Sequence, residues 1–201
     1  MSRGSAQRVV LLDSGGANLA SVQAAFERLG VSAPVSSDWH TIRAATHVVL
    51  PGVGAAAAAM ARLRENGLDR LIPTLTQPLI GICIGMQLLF ERSDENNTDC
   101  LGLLAGSVQR LQPSAGVRVP HMGWNRLQVA STHPLVADLD RQWVYFVHSY
   151  AAGTSEKTLA ACTHGEPFAA VTASDRIMGA QFHPERSGAA GARLLRNFLA
   201  L

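Results

Sequence analysis

Long apolar runs are missing from this sequence. Its purely apolar stretches, such as Val9-Val10-Leu11-Leu12 and Val48-Val49-Leu50, fall far short of the roughly 20 residues of a membrane-spanning helix. The first residues also lack the longer apolar segment of a signal peptide. Charge of one sign is missing too. The formal net charge is +2 and the Lys and Arg residues are scattered, with no basic run, which argues against nucleic acid or an anionic membrane as the main partner. Cysteine is scarce. The three, Cys83, Cys100 and Cys162, are an odd number without CxxC spacing, which argues against a disulfide framework or a zinc knuckle. A reducing cytoplasm is the expected compartment, with no metal and no cofactor.

What is present is a packed globule: 201 residues, 47% hydrophobic and 16% charged, enough for one sizeable α/β domain. Arg8 to Asp13 reads as a short buried strand closed by the Ser14-Gly15-Gly16 turn. From about Asn18 to Leu29, Leu19, Val22, Ala25, Phe26 and Leu29 recur at helical spacing, ended by Gly30. Thr46 to Leu50 is a second strand, leading through Pro51-Gly52-Val53-Gly54 into an alanine-rich helix to about Arg64. Pro78 to Cys83 is a third strand, followed by a helical run through Phe90. This alternation predicts βαβ units and a mainly parallel sheet. Segments near 106–111, 124–129, 142–150, 157–163, 168–173 and 177–182 read as further strands. No linker divides the halves, so they are expected to extend the same sheet, before a helix from Gly188 to Leu201.

Gly81-Ile82-Cys83-Ile84-Gly85 falls where a buried strand meets a helix, the G-x-nucleophile-x-G arrangement of a nucleophile elbow with Cys in place of Ser. A tight strand-to-helix turn strains the nucleophile's backbone and leaves no room for side chains two residues away. It also places sulfur at a helix N-terminus, which favours a thiolate. A buried structural cysteine in an apolar strand is the competing reading. It stands unopposed for Cys100 and Cys162, which lack such surroundings.

Of seven histidines, His40, His47, His133 and His164 read as surface or satisfied structural groups. His183 ends a strand and precedes Pro184, which biases it toward extended backbone. Residues i and i+2 then share a side, so Glu185 can hold one ring nitrogen and leave the other for a nucleophile. His148, at the end of another strand, is a rival base without a nearby acidic partner. Glycines in Pro51-Gly52-Val53-Gly54 let backbone N–H groups approach a substrate oxyanion, and the segment lacks the GK[ST] ending of a P-loop. Spacing alone does not show that these groups meet.

Together, Gly81 to Gln87, Pro51 to Gly54 and Phe182-His183-Pro184-Glu185 resemble the class I (triad) glutamine amidotransferases. Closer likeness, from about residue 8 to 201, is to the family's glutaminase subunits of histidine biosynthesis. It is carried by Asn18-Leu19-Ala20-Ser21-Val22, Pro51 to Met60, Pro120 to Asn125, Tyr145 to Tyr150 and His183 to Gly188. Ala56 and Ile84 stand where Phe and Leu are common. The resemblance implies a flavodoxin-like, single three-layer domain over 8–201, with a central mixed, mainly parallel sheet flanked by helices. A flexible start at 1–7 is expected. It implies Cys83 as nucleophile, His183 as general base and Glu185 as its orienter. Gln87, the backbone of Gly52 to Gly54 and Ser149 would hold glutamine, with the Val53 and Ile84 N–H groups as oxyanion donors. It also implies a partner in a heterodimer, a (β/α)8-barrel cyclase that receives the ammonia, with Asn18, His121 and Trp124 near the interface. Met86 argues against an anthranilate-synthase-type partner and Gln87 against a pyridoxal-phosphate-synthase type. The intact Cys-His-Glu set argues against an idle docking protein.

Overall fold

The computed structural model describes residues 7–15 and 18–201. The expected flexible start lies, up to residue 6, outside the described residues, as does the Gly16 end of the first turn. The first half alternates strand and helix: β1 (Val9–Leu12), α1 (Leu19–Glu27), β2 (Val35–Ser36), α2 (Trp39–Ala44), β3 (His47–Leu50), α3 (Ala56–Glu65), α4 (Leu68–Leu71), β4 (Leu79–Ile82) and α5 (Ile84–Gln87). The second half is rich in strands. These are β5 (Arg92–Ser93), β6 (Thr98–Asp99), β7 (Ser107–Arg110), β8 (His121–Arg126), β9 (Gln128–Val129), β10 (Trp143–His148), β11 (Tyr150–Ala152), β12 (Thr158–His164), β13 (Glu166–Ser174) and β14 (Ile177–Ala180). Helix α6 (Gly188–Leu199) follows.

Eight strands form the central sheet in the order β2-β1-β3-β4-β14-β13-β12-β9. Pairing is parallel from β2 through β14 and antiparallel beyond it. Every residue of β1, β3, β4 and β14 is buried, the pattern of strands covered on both faces. Because β3, β4 and β14 are adjacent and parallel, their carboxyl ends open on one edge. That edge carries Pro51–Gly54, Cys83 and Gln181–Glu185 side by side, where open α/β sheets bind ligands.

The second half differs from a simple extension of the sheet. Strands β9, β12, β13 and β14 join it, but β8 and β10 pair as a separate ribbon, and β11-β7-β5-β6 make a small second sheet. The stretch expected as one strand at 142–150 changes partner at Ser149, from β8 to β7. The stretch at 124–129 breaks at Leu127, which turns wholly into the core. The helical run expected through Phe90 ends at Gln87. Beyond that point the N–H groups of Leu101, Gly102, Leu103 and Leu104 take the carbonyls of Leu88, Leu89 and Phe90. Five phenylalanines, Phe26, Phe146, Phe168, Phe182 and Phe198, are the largest fully buried side chains. No helix among the described residues is long and apolar enough to cross a membrane.

Helix α6 braces the turn that follows β14. Ser187 Oγ donates to the His183 carbonyl at 2.7 Å and accepts from Tyr145 N at 2.9 Å. The helix approaches so closely that a Cβ on Gly191 would fall 1.9 Å from the Pro184 carbonyl oxygen. Gly191→Ala should therefore cost on the order of 3 kcal/mol, or roughly 6 to 12 °C in Tm for a domain of this size. Thermal denaturation reads this directly, and an unchanged Tm would mean that α6 can move away freely.

Candidate active site

Cys83 lies between β4 and α5 with φ 54° and ψ −111°, left-handed backbone that a residue other than glycine adopts only under constraint. The flanking glycines supply the constraint. A Cβ on Gly85 would meet the Leu50 carbonyl oxygen at 1.8 Å, and one on Gly81 would meet the Gly85 carbonyl at 2.5 Å. Cys83 N donates to the Ala180 carbonyl at 2.8 Å, which ties the elbow to β14. Helix α5 is a single turn, so its macrodipole is smaller than that of the longer helix expected from the sequence.

Cys83 and His183 line one cavity of about 380 Å³. His183 Nδ1 is 2.8 Å from Glu185 Oε1, and both side chains are almost wholly buried. His183 Nε2 is buried without a hydrogen-bond partner, free for a group in the cavity. Burial works against a charged imidazole, but Cys83 and Glu185 outweigh it and push His183 up to about 10. For Glu185, burial is again outweighed, by His183 and by Asn18, and its carboxyl is held below its ordinary value. Asn18 Nδ2 donates to the same Oε1 at 2.6 Å. The nucleophile, base and orienter suggested by the sequence thus stand together, with Asn18 as a fourth link that spacing did not reveal.

Val53, Gly54, Ile84, Gln87 and Ser149 also line this cavity. Among the described residues, no carbonyl takes the N–H of Val53 or Ile84. Gly52 lies beneath, packed on the elbow, where its Cβ would sit 2.8 Å from Gly85 N. Glu95 lines the cavity as well and binds the Ala56 N–H at 2.7 Å. It comes from an irregular polar stretch with no periodicity to single it out.

His148 lines the cavity but is not placed to act as a base. Its Nδ1 is 2.9 Å from the Tyr150 carbonyl, which only accepts, so this nitrogen carries the proton. Its Nε2 therefore accepts from His121 Nδ1 at 3.0 Å, and both ring nitrogens are engaged. Burial pushes His148 down to about 3 and His121 down to about 4. The family resemblance implies His121 near a partner interface. Its side chain instead faces inward, 4% exposed, stacked on His164 and Phe146. Alternation along β8 turns Met122 and Trp124 outward instead. Among the described residues no group of three or more His, Cys, Asp or Glu could hold a metal ion.

The family model of the class-I glutamine amidotransferases matches residues 10–201. The chain is similar to the imidazole glycerol phosphate synthase subunit HisH of Xanthomonas campestris pv. campestris. The two are 55% identical over 194 residues, covering 96% of this chain and 97% of that one. Its identity to the HisH subunit of Xylella fastidiosa is 52%, with the same coverage of both chains. In fold it is similar to a glutamine amidotransferase of known crystal structure, with a TM-score of 0.73 at 22% identity. That likeness covers 96% of this chain and 97% of the other.

The buried histidine pair sets a pH dependence. Both histidines lie below the ordinary value of 6.5 when folded. Between the folded values and 6.5 the unfolded chain binds more protons, so their stabilisation is present above about 6.5 and is lost as pH falls toward 4 and 3. His121→Phe, which cannot titrate, should cost stability at pH 7.5 and progressively less by pH 4.5, as denaturant unfolding would measure. A cost independent of pH would contradict this.

Proposed function

The chain belongs to the class-I glutamine amidotransferase family, and from that premise we propose that it hydrolyses L-glutamine to L-glutamate and ammonia with Cys83 as nucleophile. The observation that carries the reading is the strained Cys83 elbow sharing one cavity with a histidine whose outer nitrogen is free and whose inner one is held by a buried carboxylate.

The Cys83 sulfur, having passed its proton to His183, adds to the carboxamide carbon of glutamine. The N–H groups of Val53 and Ile84 take the oxyanion. His183 then gives its proton to the departing nitrogen, and ammonia leaves a glutamyl thioester. Water, deprotonated by His183, attacks that thioester, and glutamate departs as the thiol is restored. Glu185, tied by Asn18, keeps the ring in one tautomer throughout. Glu95 offers a carboxylate for the α-ammonium group of the substrate, and Gln87 and Ser149 complete the pocket.

The name of the relatives supports a partner, the cyclase of imidazole glycerol phosphate synthase, which would use the ammonia in histidine biosynthesis. We assign it to the outer face of the β8–β10 ribbon. Met122, Trp124 and Trp143 there are 64%, 53% and 55% exposed, an apolar strip that a lone soluble domain rarely leaves open. Cross-strand pairing sets Trp124 beside Tyr145 and Met122 beside Val147. Val147, with Asn18, Ser21, Val53 and Arg186, lines a second cavity that also reaches His183. Ammonia released at His183 thus has an exit beside the strip, toward a (β/α)8-barrel partner in a heterodimer. The scarce, unpaired cysteines suit the cytoplasm.

Cys83→Ala should keep the fold and its affinity for the cyclase while glutamine hydrolysis falls by at least about 1,000-fold. A glutamate-release assay on the complex reads this, and wild-type turnover by the variant would refute the assignment. Trp124→Ala should weaken cyclase binding by about 30-fold or more, as for a buried aromatic anchor. Unchanged affinity by titration calorimetry would move the interface elsewhere.

A further inference from the structure

One backbone carbonyl orients two buried side-chain amides beside the nucleophile. The Tyr150 oxygen can only accept, and Gln87 Nε2 lies 2.8 Å from it, so the amine end of Gln87 faces that carbonyl. The same Nε2 is 3.0 Å from Gln181, so the atom of Gln181 that meets it is the amide oxygen. The amine of Gln181 is then the end that faces Cys83 Sγ, at 3.8 Å. The carbonyl has no freedom to change this arrangement, because it also accepts from His148 Nδ1.

Two consequences follow for the cavity. Gln87, 1% exposed and lining it, is left with an amide oxygen that has no partner. A buried bare acceptor is costly unless something donates to it. Gln181 is wholly buried, and the β14–β4 register, with Ala180 opposite Ile82, places it directly beside Cys83. Its own backbone N–H is held by Ala170.

Resting on the amidase reading above, we propose that Gln181 is a positioning residue that bridges the nucleophile and the cavity-lining Gln87. Its oxygen holds Gln87 so that the Gln87 oxygen faces the cavity and accepts an N–H of bound glutamine. Its amine points an N–H at the sulfur. The two ends of one amide therefore serve two kinetic quantities: the oxygen serves substrate binding, and the amine serves the reaction of the sulfur.

The test uses the complex with the cyclase and compares wild type with Gln87→Leu, Gln181→Leu, their double variant and Gln181→Glu. Gln87→Leu should raise KM for glutamine about tenfold and Gln181→Leu about fivefold. The double variant should be no worse than Gln87→Leu within about twofold, because Gln181 acts on KM through Gln87. Gln181→Glu keeps an oxygen for Gln87 but sets an oxygen against the sulfur. It should leave KM within about twofold and lower kcat about tenfold. KM effects that multiply in the double variant would overturn the proposal, as would a Gln181→Glu enzyme whose KM rises as much as that of Gln181→Leu. If Gln181→Leu does not fold, the split between KM and kcat in Gln181→Glu decides alone. A wild-type complex that released no glutamate would instead sink the amidase reading, so the two failures are distinguishable.

Discussion

The contact on which the chemistry depends is between two backbones. Gly85 lies so close to the Leu50 carbonyl that no side chain fits between them. This approach lets the chain turn from β4 into α5 within one strained residue, and that residue is Cys83. Residues held in such sparsely populated backbone regions cost about 1 to 3 kcal/mol and persist only where the surroundings enforce them. Here the enforcement comes from both neighbouring strands: β3 through Leu50 and β14 through the Ala180 carbonyl. The same three strands deliver the other walls of the cavity, because all run parallel and end on one edge. Sheet topology and the geometry of the Cys83 elbow are one feature.

Around that elbow the buried polar groups lean on one another, with His183 Nε2, Glu185 Oε2 and the Gln87 amide oxygen left without a partner. A carboxylate as enclosed as Glu185 is tolerated because His183 and Asn18 both donate to it, which also fixes the imidazole. A second, neutral chain runs from His121 through His148 to the Tyr150 carbonyl, and from there through Gln87 and Gln181 to the sulfur. The first set carries charge and the second does not. A cavity with an ionisable wall and a neutral, hydrogen-bonded wall suits a neutral carboxamide that must meet a nucleophile and a proton donor from one side.

Local rules made the parallel half readable. Four buried strands appear as short apolar runs, and the glycines around Cys83 and after Leu50 marked the two strand ends that matter. Glu185 two residues after His183 suggested the ion pair correctly, since it needs only local geometry. Most of the exceptions are long-range. Gln181 sits 98 residues from Cys83 and Asn18 sits 167 from Glu185, so neither contact leaves a trace in spacing. His121, which the family resemblance puts near the interface, turns its side chain inward while Met122 and Trp124 face outward, since one residue of register on a strand reverses the face. The separate ribbon of β8 and β10 is hidden in the sequence for a related reason. Strand pattern tells which residues are buried, not which neighbour they pair with. Short α2 is the local exception: Asp38 caps it by accepting from Thr41 N, but too few residues follow to show a helical period.

The central claim is that Cys83 forms a covalent glutamyl intermediate. Acid-quenching the cyclase complex during glutamine turnover, followed by peptide mass spectrometry, tests it most directly. The account predicts one glutamyl group on the peptide that carries Cys83 and none on those carrying Cys100 or Cys162. Glutamyl transfer to either of the other cysteines, or steady glutamate release from an enzyme whose Cys83 has been fully alkylated, would contradict it.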